Sequence, residues 1–292
     1  GQRFDLIGAV TLFVSLLALL LALTLGQRQG FGDRQVLVLF VAWLAFLAGF
    51  IAIELRTKQP MVDLWLFRNP LFSVSLGTGL IVFICISGTL LLMPFFLENV
   101  LGYAPRQVGL LLAVVPVGLG LTAPISGALS DRFGSRPMTV IGLASLVLGY
   151  ILVRTLSTDT TGLGYLVRFA PIGVGMGMFQ SPNNSAIMGA APRDRLGVAS
   201  GLLAITRTVG QTTGIATLGA LWAARVVAHG GAAYRADATA APAAAQVAGL
   251  HDAFLVVVAL IALGLGLAVW AFGQERRGKR LEAPATPHPA QD

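Results

Sequence analysis

Apolar residues fall into eight long blocks, each long enough to cross about 30 Å of hydrocarbon as a helix of about 20 residues. The blocks are Asp5 to Leu25, Val36 to Ile53, Leu71 to Leu97, Gln107 to Leu129, Met138 to Leu156, Gly162 to Gly189, Gly197 to Val226 and Asp252 to Phe272. Charged residues gather between them. The pattern predicts an all-α, polytopic membrane protein. The first two blocks are rich in Leu, lack proline and hold only Gly8 and Gly49 as interior glycines, so they read as lipid-facing. From Leu71 onward the blocks carry Pro94, Pro116, Pro124, Pro171 and Pro182 with many glycines, as expected where helices bend and pack closely. The chain therefore divides into two peripheral helices (1–53), a cytoplasmic connector (54–70), a six-helix bundle (71–273) and a tail (274–292).

The connector contains QPMVDLWLFRNPLF, Gln59 to Phe72, in which Trp65 and Phe67 stand beside Asp63 and Arg68. It is either an interfacial helix at headgroup level or a linker with an anchoring tryptophan. The stretch from Ala228 to Leu250 is rich in Ala and Gly and reads as a flexible outer loop. In the tail, Arg276, Arg277, Lys279 and Arg280 suit anionic lipid, and the Pro-bearing end that follows reads as disordered.

Composition narrows the picture. Of the 292 residues 55% are hydrophobic and 11% charged, whereas a soluble domain has about a quarter charged. The net charge of +7 does not indicate a nucleic-acid partner, because the cations sit in short connections and a terminal cluster rather than on one basic face. They set orientation instead. Arg3, Arg56, Lys58, Arg68, Arg132, Arg136, Arg193, Arg195 and the tail cluster lie on one side, against Arg28, Arg34, Arg106, Arg154, Arg225 and Arg235 on the other. That excess places both termini in the cytoplasm. The abundance of Arg, Ala and Gly points to a bacterium with a high-GC genome, and hence to its plasma membrane. The chain opens on Gly1-Gln2-Arg3 without a Met and reads as a piece of something longer.

Little in the chain looks catalytic. Cys85 is the single cysteine, so there is no disulfide framework or thiolate metal site. His229, His251 and His288 are too scattered for a metal or catalytic cluster, and no hydrolase, zinc or P-loop motif occurs. No cofactor is implied, and an enzyme is disfavoured.

Three stretches carry the candidate chemistry. GALSDRFGSRP, Gly127 to Pro137, interrupts the apolar sequence with a charged turn. Gly127 and Gly134 permit close backbone approach, Asp131 suits the N-terminus of the next helix, and Arg132 and Arg136 suit a cytoplasmic loop. The sixth block holds RFAPIGVGMGMFQSPNN, where Gly173, Gly177, Gln180 and Asn184 share a face. Pro182 removes one ladder hydrogen bond, so the carbonyl of Met178 needs a donor from a neighbour or water. Gln180, Asn183 and Asn184 either line a cavity or bond helix to helix. In the seventh block Ser200, Arg207, Gln211 and Gly214 share a face, and Gly210 and Gly214 suit close packing. Arg207 lies about ten residues, or about 15 Å, into the helix, near mid-membrane. Placing it there costs about 2.5–3.5 kcal/mol on insertion scales, so it must face protein or water: it is either functional or bonded to neighbouring carbonyls. Arg168, close to the outer end, snorkels and reads as structural. All thirteen carboxylates fall at block ends, in connections or in the tail, so a buried proton relay is absent from these blocks.

The spacing Gly-x-x-x-Asp-Arg-x-Gly-x-Arg at 127–136 is similar to the loop of the major facilitator superfamily that recurs between the second and third helices of each six-helix half. Counted from Leu71, it falls between the second and third helices here. The connector, SPNNSAIMGAAPRDRLGVASG and ITRTVGQTTGIA also resemble the 14-span drug:proton antiporters of that superfamily. Ser135 departs from the pattern, which commonly has a basic residue there. The resemblance implies the C-terminal eight spans of a transporter built of rocking halves with a midplane site. It implies a lipophilic, drug-like small-molecule substrate, the proton gradient as energy source, and an N-terminal half of the same protein as partner. Asp131 and Arg132 would then latch one conformation, while the faces of Gln180 and Arg207 border the cavity. The rivals are a substrate-specific exporter and a non-transporting scaffold or sensor subunit.

Overall fold

Side-chain caps and prolines set where the helices begin and break. The computed structural model describes residues 5–57, 62 and 64–282; the side chains of residues 194 and 275–282 lie outside that description. Its α-helices are α1 (Leu6–Gln29), α2 (Arg34–Arg56), α3 (Pro70–Phe95), α4 (Pro105–Leu112), α5 (Val114–Phe133), α6 (Ser135–Val153), α7 (Gly162–Ala190), α8 (Leu196–Gly230) and α9 (Ala243–Glu282). Asp5, Asp33, Asn69 and Thr161 each accept a hydrogen bond from a backbone N–H in the first turn of α1, α2, α3 and α7. These bonds satisfy donors that the helix itself leaves free. Pro116 has no N–H for the carbonyl of Leu112, and the fourth predicted span breaks there into α4 and α5. Pro94 is followed by a π-turn at Phe96–Val100 that closes α3.

Seven helical spans among the described residues are long and apolar enough to cross a membrane. The eighth expected span is present as α8, 35 residues long, and is the one that is not among these seven. Two other expectations change. The stretch 228–250 is ordered: after short 3-10 turns at Ala232–Tyr234 and Ala238–Ala240, α9 begins at Ala243, nine residues before the predicted start. Gln246 donates to the carbonyls of Thr239 and Ala241, both at 2.8 Å, and thereby fastens that turn. The Thr239 hydroxyl donates to Asp237 at 2.6 Å and helps hold that exposed carboxyl below its usual pKa range. At the other end α9 continues to Glu282, so the helix extends through the basic cluster. In the connector a 3-10 turn covers Leu64–Arg68, with Leu66 buried and Trp65 exposed. Gln59, Pro60 and Asp63, and the tail from residue 283 with His288, lie outside the described residues.

From α3 onward, with α4 and α5 counted as the two parts of one span, six spans pack as two interlocked triplets. The second helix of each triplet lies against the first helix of the other, α5 on α7 and α8 on α3. The third helices, α6 and α9, meet each other behind them. Tyr150 of α6 stacks on Phe254 of α9 with ring centroids 6.0 Å apart, in a core that also takes Phe169 and Phe179 of α7. Within the N-terminal pair, α2 packs on α1, and α1 reaches the bundle along α8. Leu19 and Leu23 of α1 meet Ala216 of α8 there.

Candidate functional site

The turn at 127–137 is tighter than a loop. One residue, Gly134, separates α5 from α6, with φ 89° and ψ 155°, a backbone conformation that costs an L side chain about 1–3 kcal/mol. Asp131 consequently sits in the last turn of α5 rather than at the start of α6, and both it and Arg132 are exposed. Arg132 lies over the Phe133 ring at 5.4 Å. Arg136 is not a loop cation: it stands in the first turn of α6 and donates to the carbonyl of Ala271 on α9. It fastens the turn to the far triplet. Ser135 accepts from Ser130 across the turn at 3.2 Å, where the family pattern has a basic residue. Gly127 faces Ser181 of α7; a Cβ there would lie 3.5 Å from the hydroxyl oxygen.

On α7 the glycines allow backbones to touch. A Cβ on Gly173 would lie 2.9 Å from the Val115 carbonyl oxygen, and one on Gly177 would run into the Thr122 hydroxyl. Both contacts are with α5. Asn183 is 2% exposed and donates from Nδ2 to the Ser75 carbonyl of α3 at 3.1 Å, while its Oδ1 is buried without a partner. It therefore ties α7 to α3 with half of its amide unused. Gln180 and Asn184 are half-buried. The donor that Pro182 makes necessary is Ser126 of α5, whose hydroxyl bonds the Met178 carbonyl at 3.2 Å. The sequence signals that need, since the Pro182 gap identifies the orphan carbonyl, but not which residue meets it.

On α8 the face read from spacing divides in two. Gly210 and Gly214 are buried against α3: a Cβ on Gly210 would lie 2.8 Å from that of Phe83, and one on Gly214 would run into the Ile84 carbonyl. Ser200 and Gln211 are exposed. Arg207 stands on the boundary. Its guanidinium lies over the Phe83 ring at 5.3 Å, its Nε is buried without a hydrogen-bond partner, and no carboxylate among the described residues pairs with it. Beside it Gly197, Ser200, Gly201, Ala204, Thr208 and Gln211 form an exposed stripe of small and polar residues on one helical face, which ends at the exposed, apolar Ile215. The stripe as a whole escaped sequence reasoning because it is too small and mixed to stand out from packing glycines.

Two polar clusters outside this region were also missed. Glu54 is 4% exposed at the end of α2, where it accepts from the Val62 N–H at 3.2 Å, although spacing places it merely at a span end. On the opposite side of the bundle His229 and Asp252 join α8 to α9 at 3.0 Å with Arg225 nearby, and His251 meets the Leu156 carbonyl at 2.7 Å. Among the described residues no group of His, Cys, Asp and Glu suits a metal ion. Arg168 bonds locally, to Thr155 at 2.8 Å and to the Gly164 carbonyl at 2.9 Å.

The model of the Major Facilitator Superfamily matches residues 6–215. Multidrug resistance protein Stp of Mycobacterium tuberculosis is 34% identical over 224 residues, which cover 77% of this chain and 42% of that protein. Multidrug transporter protein MdtP of Bacillus subtilis is 30% identical over 224 residues, 76% of this chain and 41% of that protein. The tetracycline resistance determinant of Streptomyces rimosus is 34% identical over 220 residues, 73% of this chain and 62% of that protein. The chain thus spans well under half the length of the first two. Among solved structures, an inward-facing bacterial homologue of the human lysosomal transporter Spinster superposes with a TM-score of 0.53 at 17% identity, over 85% of this chain and 63% of that one, a likeness of fold. The chain belongs to the major facilitator superfamily.

Proposed function

We propose that this chain is the C-terminal part of a 14-span exporter in a bacterial plasma membrane, which moves lipophilic, drug-like molecules outward in exchange for protons. The observation that carries the reading is the exposed stripe of α8 with Arg207 at its edge. An arginine at that depth, with a buried Nε left unpaired, is retained against an insertion cost of about 2.5–3.5 kcal/mol. The names of the relatives, which include multidrug and tetracycline resistance proteins, support a substrate of this class. In this reading the stripe faces an N-terminal half of the same transporter, both termini of the chain are cytoplasmic, and substrate passes between the halves near Gln180, Asn184, Arg207 and Gln211. Asn183 holds α7 against α3 beside that path. Asp131 and Arg132, exposed at the cytoplasmic turn, form the latch, with Arg136 anchoring the turn to α9. Protons are taken up by acids of the other half.

The test is efflux of a lipophilic cationic dye from cells carrying the complete gene, with the proton gradient present and then collapsed. Gradient-dependent efflux is expected. No efflux across a broad panel of compounds overturns the multidrug reading in favour of a narrow-substrate carrier or a scaffold. For the latch, Asp131→Asn is expected to abolish export at unchanged membrane abundance, and normal efflux by that variant removes the role.

A further inference from the structure

The connector is held at both of its ends. Where it leaves α2, Glu54 accepts from the Val62 N–H at 3.2 Å, and Val62 is itself buried. Where it enters α3, Leu66 is the buried residue of the turn Leu64–Arg68 and joins a cluster separate from the main core, with Phe72 and Leu76 of α3, Ile187 of α7 and Ala199 of α8. The turn is fastened to the start of α3. The Asn69 N–H donates to the Leu66 carbonyl at 3.1 Å, the Ser73 hydroxyl donates to the Phe67 carbonyl at 2.6 Å, and the Phe67 ring meets Phe72 edge-on at 5.6 Å. Even a fully extended chain from Val62 to Leu66 spans only about 14 Å. The last turns of α2 are thereby tethered to the ends of α3, α7 and α8.

The helix pair has a second attachment farther along α8, where Leu19 and Leu23 of α1 are buried with Ala216. From Ala199 to Ala216 along α8 is about 26 Å at 1.5 Å per residue. Between the two attachments Phe40 and Trp43 of α2 stand across an open groove from Leu80 and Ile84 of α3, so α2 has little support from the bundle there. A body held at one point can pivot about it. Held at two points this far apart on a single helix, it cannot swing unless one of them opens. We infer that the connector is a strap, with Leu66 as its plug, which locks the Arg56 end of α2 to the bundle and makes α1 and α2 one rigid body with the six spans that follow. In a transporter whose halves rock against each other, the pair then travels with this bundle rather than with the opposing half. That consequence rests on the function proposed above, whereas the rigidity does not and is measured without transport.

Double electron–electron resonance between nitroxide pairs reads the rigidity on the full chain in lipid nanodiscs, in a Cys85→Ala background. The labels occupy exposed positions: Leu55 on α2 paired with Ile141 on α6, Leu37 at the other end of α2 paired with Ile141, and Leu90 on α3 paired with Ile141 as a control within the bundle. Each pair is expected to give one narrow distance while Leu66 is in place. Leu66→Ala removes the plug and leaves the attachment at Ala216, so the Leu55 distance is expected to broaden and shift by several ångströms while the Leu37 and Leu90 distances stay narrow. Leu66→Met, which refills the space at similar volume, is expected to keep the Leu55 distance narrow. A Leu55 distance that is already broad with Leu66 in place, one that Leu66→Ala leaves narrow, or a Leu37 distance that broadens with it overturns the inference. Broadening of the Leu90 pair by Leu66→Ala also overturns it, because Leu66 would then hold the bundle itself together rather than strap the helix pair to it.

Discussion

The bond between Ser126 and the Met178 carbonyl tests whether Pro182 is what makes α5 necessary to α7. Pro182 has no N–H to offer Met178, four residues earlier, so that carbonyl depends on the Ser126 hydroxyl 3.2 Å away. Ser126 is 1% exposed, which leaves water little room to substitute. The distance is longer than the usual 2.7–2.8 Å for such a bond. Polar contacts between membrane helices average about 0.6 kcal/mol and reach about 1.7, so Ser126→Ala is expected to cost about 0.6–1 kcal/mol, or about three- to fivefold in the folding equilibrium. In a Pro182→Ala background residue 182 regains an N–H, Met178 recovers its ladder bond, and Ser126 becomes redundant. The four proteins of this double-mutant cycle are compared by reversible SDS-induced unfolding in mixed micelles, and the cost of Ser126→Ala is expected to fall to near zero when Ala stands at 182. An equal cost in both backgrounds refutes the argument, because the serine would then be serving something other than the gap left by the proline.

Two further outcomes follow from α8. Gly214→Ala pushes a methyl into the Ile84 carbonyl and to 2.5 Å from the Ser87 hydroxyl, so it is expected to part α8 from α3 at a cost of about 1–3 kcal/mol, read by the same unfolding titration; a neutral result refutes the close crossing. Arg207→Met removes a buried Nε that has no partner and a stack on Phe83 worth about 0.5–2 kcal/mol, so the fold is expected to survive while efflux by the complete transporter falls at least about tenfold, with Arg207→Lys intermediate. Normal efflux by Arg207→Met, or unfolding with no change in transport by the surviving protein, makes the arginine structural.

The spans were legible because their signal is strong and local. Hydrophobic blocks, prolines and caps depend on neighbours within a few residues, and the starts of α3 and α7 differ from the expected limits by at most one residue. What was not legible is set by partners distant in sequence. Arg136 looks like any loop cation until α9 brings Ala271 within reach. Asn183 and Gln180 look alike in the sequence, yet Asn183 is buried and committed to Ser75 on α3, whereas Gln180 is only half-buried. The stretch before Asp252 was misread for a different reason. Its Ala and Gly content suits a loop, but Gln246 closes the turn through two backbone carbonyls, and the alanines around it, Ala241 and Ala245, are small enough to be buried against the bundle.

The helix that is least like a membrane span is also the one with the most separate environments, and the two facts have one cause. One side of α8 is glycine and packs on α3 through Gly210 and Gly214. A second side, including Val209, Thr213 and Thr217, borders the apolar cavity beneath α1 and α2. The third is the exposed stripe from Gly197 to Ile215. Large apolar side chains suit only one of these, because the first needs small residues for close approach and the third carries hydroxyls and an amide. Mean hydropathy falls accordingly, although the helix is 35 residues long. A span whose average is low because its faces differ still has a place in the membrane, provided neighbours cover the polar side. In α8 the α3 side is covered within the chain, whereas the stripe from Gly197 to Ile215 stays exposed among the described residues.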